Sequence, residues 1–396
     1  MKKRKVRKRI KIVFVLFLLG VVSISTGAYF QLSNFSFNEK KYNKSKKEEV
    51  PIKEPKEYSA SMIMVGDALI HSAVYQDAKK SDGSYDFKPM LELTKPITTK
   101  YDLAYYNQET ILGGSTLGYS NYPRFNSPTE VGDAFIDSGF NLVSLATNHT
   151  MDKNEQGVIN SVNYWSNKSG VVWDGQRISQ EERDKVRTYK VNNISYAFFS
   201  YTTWTNGLET PNGKDYLNNV YSDEKAKNDI EKVRDKVDIV IVAMHWGNEY
   251  SLGISESQTE IANYLSNLGV DIIIGAHPHV VEPVEYINNR KTFVIYSLGN
   301  YISDQEGLER LTGLMMELTI KKTVNIDNTV SINITDPKAE LLYTKSYYGG
   351  KRNFKVYPYS KLDNTILPNY MTYYEKYKSI VSSRYSNLIW GVDGEL

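Results

Sequence analysis

The sequence contains no cysteine among its 396 residues. This absence excludes disulfides, thiolate metal sites, a cysteine nucleophile and a lipid anchor on cysteine. Histidine is also scarce, with five residues in the whole chain. Repeats of fixed period are absent as well. Any metal site must therefore be built from a few imidazoles and from oxygen ligands.

The sequence has little net charge, because 48 Lys and Arg residues face 46 Asp and Glu residues, which gives +2. The first eleven residues supply eight of the positive charges, and residues 12–57 add an excess of two, so residues 58–396 carry about −8. The basic balance therefore belongs to the N-terminal end. A negative field over the remaining chain argues against nucleic acid as its partner.

An apolar run, IVFVLFLLGVVSISTGAYF, follows the basic cluster directly. About 20 such residues can cross the hydrocarbon core of a membrane, whereas the apolar region of a cleaved signal peptide is usually shorter. The basic cluster should stay in the cytoplasm. We predict a cytoplasmic tail (1–11), a single-pass membrane anchor (12–32), a flexible linker (33–57) and an extracellular domain (58–396). Cleavage at Thr26-Gly27-Ala28 is the alternative.

Short apolar runs alternate with segments of helical periodicity after Ser59. The apolar runs are typical of strands buried on both faces, and several helical segments close on glycine. This alternation predicts an α/β domain that binds ligands beyond the carboxyl ends of its strands. The predicted strands are SASMIMVGD (59–67), DLAYYNQE (102–109), FNLVSLATNH (140–149), GVVWDG (170–175), VDIVIVAMHWG (237–247), VDIIIGAHPH (270–279) and TFVIYSLGN (292–300).

Four helices are predicted between these strands, and the C-terminal third alternates like antiparallel strands. A mixed sheet, or two packed sheets, is therefore favoured over a purely parallel one. The chain from Asp336 onward should complete a sheet, and a closing helix is predicted near Met371 to Val381. The four helical segments are TEVGDAFIDSG (129–139), NEQGVINSVNYWSNKSG (154–170), SDEKAKNDIEKVRDKV (222–237) and SESQTEIANYLSNLG (255–269).

All five histidines follow predicted strands, and acids and amides stand at equivalent places. If the strands are neighbours in one sheet, these side chains converge on one rim and form a pocket. Imidazole nitrogen with carboxylate and amide oxygen suits zinc, manganese or iron better than calcium. The residues concerned are Asp67, His71, Asn107, Glu109, Asn148, His149, His245, Glu249, His277, His279 and Asn300.

The dense pair His277-Pro278-His279 is the strongest single signal. A turn can aim both imidazoles at adjacent ions, and the proline fixes one backbone dihedral there. Gly275 lets the chain leave the strand without a side-chain clash. Helix capping is the alternative for the acids Asp67 and Glu109. The nearby aromatics are expected to be packing residues: Tyr105, Trp246 and Tyr301.

Six ordered motifs, VGDALIH, YNQE, ATNHTMD, AMHWGNEY, GAHPHV and YSLGN, occur in unbroken order from Met62 to Asp304. In this set the sequence resembles the CapA-type poly-γ-glutamate capsule synthesis family, which is related to calcineurin-like metallophosphoesterases. The resemblance implies a four-layer αββα sandwich with a site for two divalent metal ions at the strand ends. It also implies a place in capsule or cell-envelope polymer biosynthesis.

Carried over to this sequence, the resemblance implies a general acid, His149, and a catalytic carboxylate, Asp67. Two departures stand out. His71 lies four residues after Asp67 where the superfamily has Asp-x-His, and Glu109 stands where a bridging Asp is usual. The implied metal ligands are Asp67, Glu109, Asn148, His245, His277 and His279. The candidates to contact substrate or support the ligands are His71, Asn107, Asp152, Glu249 and Asn300, with metal coordination as the alternative for His71.

Three functions follow as hypotheses. The first is a membrane-anchored metal-dependent hydrolase that cleaves a phosphodiester, or an amide or ester of the envelope polymer. The second is a non-catalytic subunit that binds or transports poly-γ-glutamate beside membrane synthase subunits. The third is a ligand-binding domain without metal.

Overall fold

The computed structural model describes residues 54–347 and 352–392. The predicted tail (1–11), the predicted anchor (12–32) and residues 33–53 of the predicted linker lie outside the described residues. Within the described ranges, no helix combines the length and the apolar character needed to cross a bilayer. The first strand begins at Lys56, two residues before the predicted start of the outer domain.

Fifteen strands and ten α-helices make up the described part of the chain. The strands are β1 (Lys56–Ala68), β2 (Leu103–Gln108), β3 (Leu142–Ser144), β4 (Val172–Asp174), β5 (Tyr189–Val191), β6 (Ile194–Thr202), β7 (Ile239–His245), β8 (Ile272–Ala276), β9 (Val284–Ile287), β10 (Thr292–Ile295), β11 (Asn300–Ile302), β12 (Thr312–Val324), β13 (Val330–Tyr347), β14 (Arg352–Pro358) and β15 (Ile389–Trp390). The helices are α1 (Ser72–Ala78), α2 (Lys88–Leu91), α3 (Lys95–Thr98), α4 (Glu130–Asp137), α5 (Asn154–Ser166), α6 (Gln180–Asp184), α7 (Asp223–Glu231), α8 (Glu256–Asn267), α9 (Leu308–Leu311) and α10 (Tyr370–Val381).

The strands form two mixed sheets. The first has the order β14-β13-β12-β1-β2-β3-β4, with β11 paired to β1 and β15 paired to β13. The second has the order β5-β6-β7-β8-β10-β9. Strands β1 to β4 run parallel, as do β6, β7, β8 and β10, so their carboxyl ends meet at one edge of each sheet.

The central strands have apolar side chains on both faces. One face of each sheet can therefore pack against the other sheet, while the opposite face packs against helices. Met62 and Met64 of β1 share one core cluster with Ile241 and Ile274 of the second sheet. The outer face of the first sheet packs against α1 to α5, and that of the second against α7 and α8. The protein is thus a mixed α/β sandwich, as the strand-helix alternation predicted.

The predicted elements are present with shifted ends, except that TFVIYSLGN is divided between β10 of the second sheet and the start of β11 in the first. Strands β5, β9 and β11 were not predicted, nor was the longer β6. Its sequence, ISYAFFSYT, is apolar enough for a central strand, and it follows β5 across the two-residue turn Asn192-Asn193. Both asparagines have left-handed φ values, 45° and 64°, which suits a tight hairpin. That asparagine pair between two apolar runs was the available sequence signal.

The C-terminal prediction is confirmed. Strands β12, β13 and β14 are antiparallel neighbours, and β15 adds to β13. Helix α10 begins at Tyr370, and its buried Tyr377 and Val381 join the core between the sheets. The C-terminal segment therefore extends the first sheet and covers its inner face.

Gly275 in β8 gives a testable prediction about this packing. A Cβ atom at that position would lie 1.8 Å from the carbonyl oxygen of Tyr296, which belongs to the backbone and cannot rotate away. We expect Gly275→Ala to lower the free energy of unfolding by about 3 kcal/mol. Gly253→Ala is the control, because a Cβ there meets nothing within 4 Å, and its effect should stay within about 0.5 kcal/mol. Equal denaturation midpoints for the two variants would contradict the described packing.

Candidate metal centre

The candidate residues come together at the carboxyl edges of both sheets. Asp67 is the penultimate residue of β1, Glu109 directly follows β2, and Asn148 lies on the loop after β3. From the second sheet, His245 ends β7 and His277 directly follows β8. Each sheet thus contributes about half of the cluster.

Asp67, Glu109 and His279 form the inner group of the cluster. The Nδ1 atom of His279 lies 3.3 Å from Asp67 Oδ2, and its Nε2 atom lies 3.5 Å from Glu109 Oε1. Ligand atoms of all three residues fall within 4.8 Å of one another, which is close enough for one shared cation. All three side chains are almost completely buried.

A chain of hydrogen bonds fixes Asp67. Asn107 donates from Nδ2 to Asp67 Oδ1 at 2.8 Å, and its own Oδ1 accepts from Ser144 Oγ at 2.6 Å. Ser144 is 2.8 Å from the hydroxyl of Tyr105. Since the amide of Asn107 is held at both ends, it orients one oxygen of Asp67 and leaves Oδ2 facing the histidines. Asn107 thus supports the carboxylate of Asp67.

Glu109 has no hydrogen-bond partner on either carboxylate oxygen among the described residues, although both oxygens are buried. Burial raises its pKa well above the usual range, the neighbouring Asp67 and Glu249 raise it further, and only His279 counteracts this. A buried carboxylate without partners is costly unless something positive satisfies it. The donor set therefore fits a divalent cation.

The three histidines of the cluster differ in charge preference, and two of them, His279 and His245, have nitrogens 3.5 and 4.0 Å from Glu109 Oε1. Burial lowers the pKa of His277 to about 3 and that of His245 well below its usual value. Burial also lowers the pKa of His279, but the carboxylates of Glu109 and Asp67 outweigh it and raise that pKa to about 9. His245 and His277 are thus neutral at physiological pH and keep a lone pair free for a cation.

Asn148 contacts the same cluster from the first sheet. Its Oδ1 atom lies 3.0 Å from Nε2 of His245, and its Nδ2 atom donates to Asn206 Oδ1 at 3.2 Å. The imidazole of His245 is 4.7 Å from that of His277, measured between ring centroids. The Nδ1 atom of His277 is buried and lacks a hydrogen-bond partner among the described residues.

The backbone of the His-Pro-His segment is unusual. His277 and His279 have φ values of 97° and 59°, a left-handed region that few non-glycine residues adopt. Tyr250 also has a left-handed φ of 65°, and its N–H donates to the carbonyl of Pro278 at 2.8 Å. The loop after β7 is thereby bonded to the loop after β8. Such conformations persist where surrounding contacts over-determine them, and they concentrate at functional sites.

A second ligand-type group lies at the outer side of the cluster. Glu249, His277 and His279 offer atoms within 4.8 Å of one another, with Glu249 exposed and both histidines buried. The sequence placed Glu249 among the supporting or substrate-contacting residues, and its carboxylate belongs to a ligand-type group. The two groups share His279.

His149 lies beside the cluster with its own carboxylate. Its Nδ1 atom is 2.7 Å from Oδ2 of Asp152, which also accepts from the N–H of Phe125 at 2.6 Å. The ring of Phe125 stands perpendicular to that of His149, with 4.7 Å between centroids. This geometry fixes one nitrogen of His149 and leaves Nε2 for proton transfer.

His71 occupies a different wall of the site. Its Nδ1 atom lies 3.1 Å from the carbonyl of Leu69 and accepts from the N–H of Asp304 at 3.2 Å. Its ring packs edge-on against Phe125 at 5.3 Å. In the described part of the chain, His71 and His245 belong to neither ligand-type group, and His71 shares the edge-on contact with Phe125 that His149 also makes.

Asn300 supports the cluster from β11. Its Oδ1 atom lies 3.0 Å from His279 Nδ1, and its Nδ2 atom donates to Gln305 Oε1 at 2.9 Å and to the carbonyl of Arg310 at 2.8 Å. The buried aromatics Tyr105, Trp246 and Tyr301 are packing residues, as predicted. Sequence reasoning missed Phe125, Tyr250 and Arg310. Of these, Tyr250 alone had a signal, since it closes the motif AMHWGNEY.

Relatives of the chain carry capsule-related names. The PGA biosynthesis protein CapA of Bacillus subtilis (strain 168) is 30% identical over 194 residues, which cover 47% of this chain and 48% of that protein. The capsule biosynthesis protein CapA of Bacillus anthracis is 24% identical over 266 residues, covering 64% of this chain and 62% of that protein. The matches thus span about half to three-fifths of these relatives.

A solved structure of a phosphatase from Mycoplasma pneumoniae has a related arrangement of elements. The match covers 70% of this chain and 92% of that one, with 13% sequence identity and a TM-score of 0.41. Values this low have no bearing on the chemistry of the site. The family described as bacterial capsule synthesis protein PGA_cap matches residues 61–305, a range that contains all the candidate ligands. The chain belongs to this bacterial capsule synthesis protein family.

Proposed function

We propose that this protein is a metal-dependent hydrolase of the poly-γ-glutamate capsule system, anchored to the outer face of the cell membrane by residues 12–32. The observation that carries the proposal is Glu109, whose two buried oxygens lack hydrogen-bond partners among the described residues. A binding surface for a polyanionic polymer would not gain from a buried, unsatisfied carboxylate. A cation-binding site would, because the charge that is costly alone becomes a ligand.

The proposed site takes two divalent cations, of zinc, manganese or iron. The residues of the inner group would hold one cation, and those of the outer group would supply ligands for the other. When bound, such a pair lowers the pKa of a shared water toward neutrality and offsets the anionic charge that develops during hydrolysis. The residues proposed as ligands are Asp67, Glu109, Asn148, His245, His277 and His279, with Glu249 within reach of the outer position.

His149 is the proposed proton donor to the leaving group. Asp152 accepts from Nδ1 and stabilises the imidazolium, so Nε2 carries the proton that is transferred. The edge-on Phe125 excludes water from this pair on one side. His149 lies near enough to His245 and His277 to lower the pKa of both. The proposed proton donor and the proposed cation site therefore lie close to each other.

The proposed substrate is the capsule polymer or a phosphodiester of its assembly, and the proposed partners are membrane synthase subunits. Family membership and the names of the two CapA relatives support the polymer. The net charge of about −8 over residues 58–396 disfavours nucleic acid. Cations at the candidate site would locally reverse this sign and admit an anionic substrate.

The metal-binding proposal is tested by Glu109→Gln in the full chain. We expect the variant to lose at least about tenfold in affinity for zinc or manganese, measured by equilibrium dialysis. In chelator it should unfold at the same temperature as the wild type or higher, because the amide removes a buried charge.

The matched control for Glu109→Gln is Glu317→Gln. Glu317 is also buried, but it accepts from Tyr101 Oη and pairs with Lys338 at 3.0 Å. Its replacement should destabilise the protein with or without metal and leave metal affinity unchanged. Unaltered metal binding in Glu109→Gln would exclude this carboxylate as a ligand.

His149→Gln tests the proton donor. With metal supplied, we expect kcat to fall about 10²- to 10⁴-fold on whichever substrate the wild type cleaves, with metal content unchanged. Two substrates are assayed, poly-γ-glutamate for amide hydrolysis and bis(p-nitrophenyl) phosphate for phosphodiester hydrolysis. Asp152→Asn should also lower kcat, since it removes the charge that stabilises the imidazolium. Full turnover by His149→Gln would refute the assignment, and no turnover by metal-loaded wild type would favour a non-catalytic polymer-binding subunit.

The membrane anchor is tested by deleting residues 1–32. The full chain should sediment with membranes and require detergent for release, whereas the deletion variant should appear in the soluble fraction. Resistance of the full chain to external protease would contradict the proposed orientation. Release of the full chain by salt alone would contradict a spanning anchor.

A further inference from the structure

Arg310 is separated from the candidate metal centre by the ring of Tyr250. Its guanidinium carbon is 4.8 Å from the ring centroid of Tyr250, and that ring is 6.0 Å from the imidazole of His279, with an interplanar angle of 32°. The guanidinium of Arg310, the ring of Tyr250 and the imidazole of His279 thus lie one after another. His279 is the residue that belongs to both ligand-type groups. Tyr250 remains 45% exposed, so the stack faces the mouth of the site.

The guanidinium of Arg310 lacks a close carboxylate partner in the described part of the chain. Within the described ranges, the carboxylate paired with it belongs to Glu309, at 3.9 Å from Nε, and Nε itself is buried without a hydrogen bond. Arg177, Arg183 and Arg234, which are 6%, 17% and 26% exposed against 30% for Arg310, each lie 2.5 to 2.7 Å from an aspartate. A guanidinium held only by a long ion pair keeps donors free for a second anion.

The position of Arg310 is tied to the metal centre through Asn300. That amide faces His279 with its oxygen and donates from its nitrogen to the Arg310 carbonyl at 2.8 Å. The same nitrogen donates to Gln305, whose amide donates in turn to the hydroxyl of Tyr250 at 3.4 Å. Because Asn300 contacts both His279 and the Arg310 carbonyl, the main chain at Arg310 is fixed relative to the cluster, and the ring of Tyr250 supports the guanidinium.

We propose that Arg310, supported by the face of Tyr250, binds an oxyanion of the substrate beside the reacting bond. The planar fork of guanidinium donors matches a carboxylate or phosphate, and stacking on an aromatic ring holds it in one orientation. In the capsule polymer the oxyanion is a glutamyl carboxylate, and in a phosphodiester it is a phosphate oxygen. The inference rests on the proposed function and gives its site a specificity-determining residue.

The test compares Arg310→Gln with the wild type in the detergent-solubilised, metal-loaded full chain. Binding of tri-γ-glutamate and of inorganic phosphate is measured by calorimetry. We expect Arg310→Gln to weaken one of the probes about 10- to 100-fold, as for loss of hydrogen bonds to a charged group. The weakened probe identifies the source of the oxyanion. Metal content and thermal stability should match the wild type, and Arg310→Lys should fall between the two.

Arg290→Gln is the matched control. Arg290 stacks on Tyr286 at 4.1 Å, so the variant loses the same kind of contact, but it lies in the turn before β10, at the opposite edge of the sheet. Its binding of both probes should be unchanged. Wild-type affinity of Arg310→Gln for both probes would overturn the inference even if the wild type hydrolyses substrate. Weakened binding without any turnover by the wild type would keep the inference and remove the hydrolase.

Discussion

A carboxylate enclosed on all sides without a hydrogen bond is the constraint on which the site depends. Glu109 is held in this state by its place directly after β2, where the chain leaves the sheet into the buried interior between the two edges. Its neighbours are a second carboxylate, Asp67, and the imidazoles of His279 and His245. The arrangement is stable as a whole only with positive charge at its centre, whether from protons or from metal.

The two sheets depend on each other at this point. Asp67, Glu109 and Asn148 come from the first sheet, whereas the three histidines come from the second. A cation held by both groups would connect the two sheets, which also meet through the apolar side chains of the core. Because such binding would occur only in the folded state, its free energy would add directly to stability. Metal supply and the integrity of the sandwich would then be linked.

Much of this architecture could be read from the sequence, for identifiable reasons. Strands buried on both faces are continuous apolar runs, and the residues that follow them lie at one edge by topology alone, so the convergence around His245 and His279 was predictable. β6 was missed because aromatic residues interrupt its aliphatic pattern. Arg310 could not be predicted, since its position depends on long-range contacts through Asn300 that leave no periodic signal.

The left-handed backbone at His277 and His279 has a consequence for sequence drift in this family of sites. Backbones with positive φ accept glycine, asparagine, aspartate and histidine far more readily than branched or bulky residues. Of these, glycine offers no ligand atom. Few residue types at these two positions keep both the conformation of the loop and a ligand atom for a cation. These positions should therefore tolerate fewer substitutions than the surrounding core.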